Sequence, residues 1–282
     1  MPLMPWTYSE DYYTEYTRTT WNESALAYVD LMRALEPFRI EALAELEAKP
    51  GERVLDLGTG PGEPAMTISA AVGAGGQVVG VDLSERMVEL AGAVGRARGL
   101  SNVDFQVMDC SRLTFPAGMF DAAICCFGFQ IFTNPEKAAA EAHRVLRPGG
   151  RILVTVWSTG DKVPWLDAII GPMLEHAEPD ETGYLPTPYE TGGVGEMVAF
   201  LHAAGFRDAR ERRVTHLLRY ENPEAYLDSM LKATPIGHSL SEEPPDVRED
   251  VLRKSRENLR RWTTPRGVEL PAECVIVRGQ RA

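Results

Sequence analysis

The sharpest chemical signal in the chain is an acid delivered by a short apolar strand into a run of alternate glycines, Val54-Leu55-Asp56-Leu57-Gly58-Thr59-Gly60-Pro61-Gly62. Glycines at 58, 60 and 62 permit a tight turn and let a ligand approach the backbone closely. The amides at the next helix start suit electron-rich ligand atoms. A dinucleotide-binding turn reads G-x-G-x-x-G, but counted from Gly58 the third glycine position is Glu63. A carboxylate there would repel a pyrophosphate, which weakens a nicotinamide-dehydrogenase reading.

The D-x-G-x-G-x-G form instead resembles motif I of the class I S-adenosylmethionine-dependent methyltransferases. Their ligand has no phosphate and carries a positive sulfonium and ammonium, so acids around the turn become an asset. Val79-Gly80-Val81-Asp82 ends a second strand with an acid 26 residues after Asp56. A carboxylate at Asp82 can accept both ribose hydroxyls; the competing role is a helix cap. Leu83 and Met87 would supply apolar contact to adenine. Met108-Asp109 ends the third strand, where Asp109 can accept the adenine amine or serve as a plain loop acid.

Two further stretches extend the resemblance, Phe120-Asp121-Ala122 through Phe132 and Arg144-Val145-Leu146-Arg147-Pro148-Gly149-Gly150. The flavour is that of the ubiquinone/menaquinone-biosynthesis type and its small-molecule relatives. The likeness covers about residues 50–157, with a weaker match in the terminal strand. It implies S-adenosyl-L-methionine as cofactor and a Rossmann-like three-layer α/β sandwich, with a seven-stranded, mostly parallel sheet whose last strand is antiparallel. It also implies that the Gly58–Gly62 turn, Thr59 included, cradles the methionine part, and that Cys126-Phe127-Gly128 faces the reactive methyl. Substrate recognition would fall to a helical cap at 1–48 and to insertions at 158–193 and 221–265. In the cap, Tyr12, Tyr13, Tyr16 and Trp21 can form a lid over the sulfonium, because aromatic faces attract cations. Thr20 is a weaker contact. Ordinary packing of a cap helix is the alternative.

No general base is legible. Of the five histidines, His143 and His202 sit on helices of the core pattern, and His216 has no evident role. His176 and His238 fall in the substrate regions and are weak candidates for a base. Nothing has metal-ligand spacing. The cysteines Cys110, Cys125, Cys126 and Cys274 fit neither a disulfide framework nor a zinc site, and small buried residues of a reduced, cytoplasmic protein are the expectation. Acidic residues outnumber basic ones, 41 to 29, for a net charge of −12, which argues against nucleic acid. No apolar run reaches the roughly 18–20 residues of a membrane span, and residues 1–10 do not read as a signal peptide.

The elements that must position these residues alternate. Strands are expected at 53–57, 77–82, 103–108, 122–127 and 151–156, separated by helix-length segments, which implies right-handed βαβ crossovers. Ser84 can N-cap the helix after the second strand. Asn134-Pro135-Glu136 and Asn222-Pro223-Glu224 each read as a helix start. Helices are further expected near 26–46 with a break at Pro37, and at 164–176, 196–204 and 246–262. Strands are expected near 209–218 and 273–278. The organisation is therefore a cap at 1–48, a cofactor-binding core at 49–157, a substrate-side insertion at 158–193 and the end of the core at 194–282. The reaction expected is methyl transfer to a small, apolar or aromatic acceptor at carbon or oxygen. An N-methyltransferase for a small amine and a catalytically silent S-adenosylmethionine-binding protein are the alternatives.

Overall fold

The computed structural model describes residues 9–177 and 191–282. Trp6, Tyr8 and the 178–190 part of the expected insertion lie outside the described residues. Helices α1 (Glu10–Ala34) and α2 (Glu36–Leu46) precede β1 (Arg53–Leu57), α3 (Ala65–Val72), β2 (Gln77–Asp82), α4 (Glu85–Ala97), β3 (Val103–Val107), β4 (Phe120–Cys126), α5 (Pro135–Val145) and β5 (Leu146–Trp157). Then come α6 (Pro164–Leu174), α7 (Glu196–Ala203), β6 (Phe206–Tyr220), α8 (Pro223–Ala233), α9 (Pro235–Ser241), α10 (Pro245–Arg260), β7 (Thr263–Thr264) and β8 (Gly267–Arg281).

The sheet runs β3-β2-β1-β4-β5-β8-β6, with the two-residue β7 paired to β8, and is mostly parallel with one antiparallel strand. The expected seven strands are therefore joined by an eighth, very short one. Inner strands buried on both faces read as unbroken apolar runs. In β1, Val54, Leu55 and Leu57 are fully buried, as are Ala122 to Cys125 in β4. Each Val, Leu or Ile among them contributes about 1.5–3 kcal/mol by burial. Parallel register pairs Asp56 with Gly80 and with Ile124, and Asp82 with Val107. The carboxyl ends of β1, β2, β3 and β4 thus share one edge. Strand order reverses between β1 and β4, the place where open α/β sheets bind ligands.

Local chemistry sets the helix starts. The Ser84 hydroxyl accepts from Met87 N at 3.1 Å and caps α4. Asn222 Oδ1 accepts from Ala225 N at 2.9 Å and caps α8. Asn134 occupies the N-cap position of α5 without a side-chain hydrogen bond. There Pro135, whose ring fixes φ for the first helical position, carries the start. α1 begins earlier than the Leu26 pattern suggests, because Ser9 accepts from Tyr12 N and caps the aromatic stretch into the helix. The short α9 has no counterpart among the expected elements, and β6 and β8 run longer than expected at both ends.

The described chain divides into two compact units. The core unit takes Pro37–Val156, Thr191–Val214 and Cys274–Ala282. Its apolar interior joins Leu55, Leu57, Val79 and Val81 to Ala123, Phe129, Ala142, Ile152 and Val275. The helical unit takes the described residues of Met1–Glu36, Trp157–Glu190 and Thr215–Glu273. Within it α1 packs on α8 and α9, and α6 packs on α10. The fully buried Tyr226 donates its hydroxyl to Trp165 O at 2.7 Å, and Trp165 Nε1 donates to Tyr220 Oη at 2.7 Å.

Candidate functional site

In the core unit, the turn after β1 is fastened at both ends. Gly58 N and Thr59 N both donate to Val81 O at 2.9 Å, which pins the turn to β2. Gly60 N donates to Asp82 Oδ2 at 2.8 Å. Gly58, Gly60 and Gly62 all have positive φ, at 69°, 54° and 102°, so the alternate glycines answer a backbone requirement. A Cβ on Gly62 would stand 2.3 Å from Met66 Cε and 3.0 Å from Ala91 Cβ. The turn also depends on a glycine one strand away. A Cβ on Gly80 would stand 2.6 Å from Thr59 Oγ1. A glycine inside a strand marks such a close approach, and that was the available signal for it.

Asp56 is fully buried. Its Oδ2 accepts from Thr59 Oγ1 at 2.7 Å and from Ala65 N at 3.2 Å, so one carboxyl oxygen orders the turn and caps α3. Its Oδ1 is buried without a hydrogen-bond partner. Burial pushes the Asp56 carboxyl up to about 7, against the pull of those two donors and with help from Asp82 and Glu63.

Asp82 is half-buried at the end of β2. Besides Gly60 N it accepts Ser84 N on Oδ1 at 2.9 Å, and burial raises its carboxyl above the usual range. The helix cap is thus made by Ser84, which leaves the unused lone pairs of Asp82 at the strand end. Leu83 is half-buried beside it and Met87 is buried. Met108 N donates to Asp82 O at 2.8 Å, which ties the ends of β2 and β3. Asp109 turns its Oδ1 back onto Ser111 N at 2.8 Å. Glu63 is engaged rather than bare. Its carboxylate meets Arg98 Nη1 at 2.7 Å and accepts from Thr67 N and Oγ1. The repulsion expected of that residue is therefore partly neutralised, a partner that its wide spacing in sequence hid.

The fourth strand end is aromatic. Phe127 holds φ at 59°, a conformation uncommon for a bulky side chain. Its N–H donates to Thr155 O at 2.9 Å, and its ring meets Phe38 edge-on at 6.3 Å. Phe129 and Phe132 pack at 5.3 Å, and Phe132 closes on Gly58, where a Cβ would stand 3.3 Å from the ring. The thiol of Cys126, half-buried, is pushed up to about 12 by burial, as the Cys110 and Cys125 thiols are pushed up. Phe38, Phe132, Gly80 and Arg98 are site neighbours that the motif reading did not single out.

The remaining candidates lie in the helical unit. Tyr16 Oη and Ser239 Oγ are 2.9 Å apart, and burial pushes the Tyr16 hydroxyl up to about 12. Tyr12 stacks on Tyr16, and Trp21 meets Tyr28 edge-on. His238 Nδ1 lies 2.8 Å from Glu23 Oε2, with Glu242 3.6 Å from its Nε2. His176 Nε2 lies 2.9 Å from Asp250 Oδ2, a carboxylate that Lys254, Arg253 and His176 hold well below the usual range. Each imidazole is thus occupied by carboxylates. No cluster of three or more metal-ligating side chains is found among the described residues. No helix among them is long and apolar enough to cross a membrane.

Known proteins match this arrangement. Residues 54–150 match the family described as a methyltransferase domain. The chain is 32% identical over 190 residues to a nocamycin O-methyltransferase of Saccharothrix syringae, covering 64% of this chain and 68% of that protein. The chain belongs to the class I S-adenosylmethionine-dependent methyltransferases. A demethylmenaquinone methyltransferase of Thermus thermophilus is 44% identical over 109 residues, 39% of this chain and 48% of that protein. The matched part of such relatives ranges from 36% to 68% of their own length. The YcgJ protein of Bacillus subtilis shares the fold, with a TM-score of 0.59, 20% identity and coverage of 89% of this chain and 98% of that one. The family's cofactor is S-adenosyl-L-methionine, and the residues present fit it. A buried carboxyl oxygen lacks a donor, a second carboxylate ends the neighbouring strand, and Arg98 beside the turn is already paired with Glu63.

Proposed function

We propose that this chain methylates a small apolar or aromatic acceptor at carbon or oxygen. The observation that carries this reading is the end of β4. Phe127, held in the left-handed region, stands with Phe38 against it and Phe129 and Phe132 following it in chain. Phe127 and Phe132 are half-buried and Phe38 and Phe129 are buried against them, and a part-exposed aromatic end of this kind favours stacking with a planar apolar partner.

The cofactor supplies an activated methyl group and a thioether leaving group. The chain's own part is to bind, orient and exclude water. The turn Gly58, Thr59, Gly60 and Gly62 holds the methionine part, beside Asp56. Asp82 takes the ribose hydroxyls, Leu83, Met87 and Met108 line the adenine, and Asp109 takes its amine. Cys126 and Phe127 face the methyl group. Tyr16 and Trp21 of α1 complete the cover, and the segments 1–48, 158–193 and 221–265 choose the acceptor. Alignment of this kind can lower a barrier by roughly 7–11 kcal/mol; methylation of a hydroxyl or an activated carbon also releases a proton, which passes to solvent, and no side chain is assigned to take it. His176 and His238 are not assigned as bases, because carboxylates already engage both. The net charge of −12 argues against a nucleic acid partner, and reduced thiols suit a cytoplasmic setting.

A screen with methyl-radiolabelled cofactor against quinones, phenols and amines tests the reading. Label on a quinone or phenol supports it. Label confined to amines would replace it with N-methylation, and cofactor binding without any transfer would make the chain a silent binder.

A further inference from the structure

Asp56 presents an unusual combination. It is fully buried, one oxygen is doubly engaged, and the other has no partner. An ionised carboxylate buried with a dry, unpaired oxygen is costly unless a cation or donor meets it. The charged and titratable groups around it supply none. From β2 comes Asp82 and from the turn comes Glu63, both of which oppose ionisation. Glu63 keeps Arg98 for itself at 2.7 Å. From beyond β3 comes Cys110 and from β4 come Cys125 and Cys126, all neutral thiols in their buried state. Arg39 of α2 acts on Cys126. The helix α3 offers a single amide, Ala65 N, already spent on Oδ2.

We propose that in the cofactor-free protein Asp56 carries a proton on its unpartnered oxygen and releases it to solvent when the ammonium of the cofactor arrives. The O–H bond breaks, the proton passes to bulk buffer, and the carboxylate left behind accepts from the ammonium N–H. Capture is thereby selective for a ligand that brings its own positive charge. Thr59 is a positioning residue in this scheme. By donating to Oδ2 it leaves Oδ1 as the unpartnered oxygen of this carboxyl. The inference rests on the reading above that the Gly58–Gly62 turn holds the methionine part. An Asp whose pKa lies near 7 when free and well below that when paired releases close to one proton per ligand bound near pH ~6. That pH also stays below the ~8 at which an α-amino group titrates.

The test is calorimetry of S-adenosylhomocysteine binding to the full chain near pH ~6, in two buffers of different ionisation enthalpy. Close to one proton should leave per ligand. Apparent affinity should rise about tenfold per pH unit between pH ~5 and ~6.5. Methylthioadenosine, which lacks the amino-acid part, should release none. Asp56→Asn should bind S-adenosylhomocysteine with no proton release, while Asp82→Asn should still release one. A wild-type enthalpy that does not depend on buffer overturns the inference and leaves the reading of the turn intact. Undiminished release in Asp56→Asn also overturns it and moves the proton elsewhere. Failure of S-adenosylhomocysteine to bind at all sinks the reading of the turn and the inference with it. Should Asp56→Asn not fold, the wild-type infrared difference spectrum decides. Loss of a protonated-carboxyl band on ligand addition supports the proposal, and an unchanged carboxyl region refutes it.

Discussion

Gly60 N donates to Asp82 Oδ2 across 2.8 Å, so the acid that ends β2 also holds the middle of the glycine turn that follows β1. Asp82 therefore has a stake in the site before any ligand arrives. Replacing it with Ala removes charge-assisted hydrogen bonds worth roughly 1.5–3 kcal/mol. Affinity for S-adenosylhomocysteine, measured by titration calorimetry, should fall about ten- to a hundredfold. Asp82→Asn should lie between the two, because it keeps one acceptor. Unchanged affinity in a folded Asp82→Ala protein would confine this residue to the turn.

Gly62 is enclosed as well as twisted, with φ at 102° and Met66, Ala91 and Phe105 all within 3.1 Å of where a Cβ would sit. Gly62→Ala should destabilise the protein by about 1–3 kcal/mol from backbone strain, with crowding added. Urea unfolding reads this directly. A variant as stable as wild type would mean that the turn can relax.

Phe127 allows a cleaner separation of backbone from ring. In the left-handed region an L-residue costs roughly 1–2 kcal/mol over glycine. Phe127→Gly should therefore be more stable than Phe127→Ala by about that amount in denaturant unfolding, although both lose the contact with Phe38. Both should transfer methyl more slowly if the ring lines the acceptor. The opposite stability order would contradict the observed backbone conformation.

The raised carboxyl of Asp56 has a consequence for stability. Its value moves from 3.8 to about 7 on folding, so the folded state holds the proton more tightly. That contribution is complete below the unfolded value and is lost as pH rises through about 7. Asp56→Asn cannot titrate. Its melting temperature relative to cofactor-free wild type should therefore climb steadily from pH ~4.5 to ~7.5. An offset that stays flat across this range would assign Asp56 an ordinary carboxylate.

In α1, Tyr16 is bound to Ser239 and stacked on Tyr12. Tyr16→Phe should cost about 0.5–1.5 kcal/mol. If α1 covers the ligand, hydrogen exchange in residues 10–21 should slow when S-adenosylhomocysteine is added. Equal, strong protection with and without ligand would make Tyr16 and Trp21 packing residues alone.

What could be read from the chain follows the range of the interactions. The strands of the parallel half were legible because burial on both faces leaves apolar runs, and the glycine turn because φ at three alternate positions demands glycine. Ser84 and Asn222 cap as their types suggest, since capping acts over three residues. Asn134 does not, because Pro135 already fixes the start. Longer-range partners were opaque. Glu63 meets Arg98, Thr59 needs Gly80, and the two candidate histidines are taken by Glu23 and Asp250. None of these pairings leaves a mark in local composition. The early part of β8 alternates buried Val268, Leu270 and Ala272 with Gly267, Glu269 and Pro271, but a proline inside the run argues locally against a strand, and that hid the pattern.

The division into units also bears on what one exchange of gene segments can carry. Residues 37–156 make one uninterrupted stretch that contains the glycine turn and all four strand ends around it, although the core unit, like the helical unit, is gathered from three separate stretches. A single pair of crossovers around that stretch would move the turn and its strand ends together, and would leave behind the two later stretches, Thr191–Val214 and Cys274–Ala282, that complete the core unit.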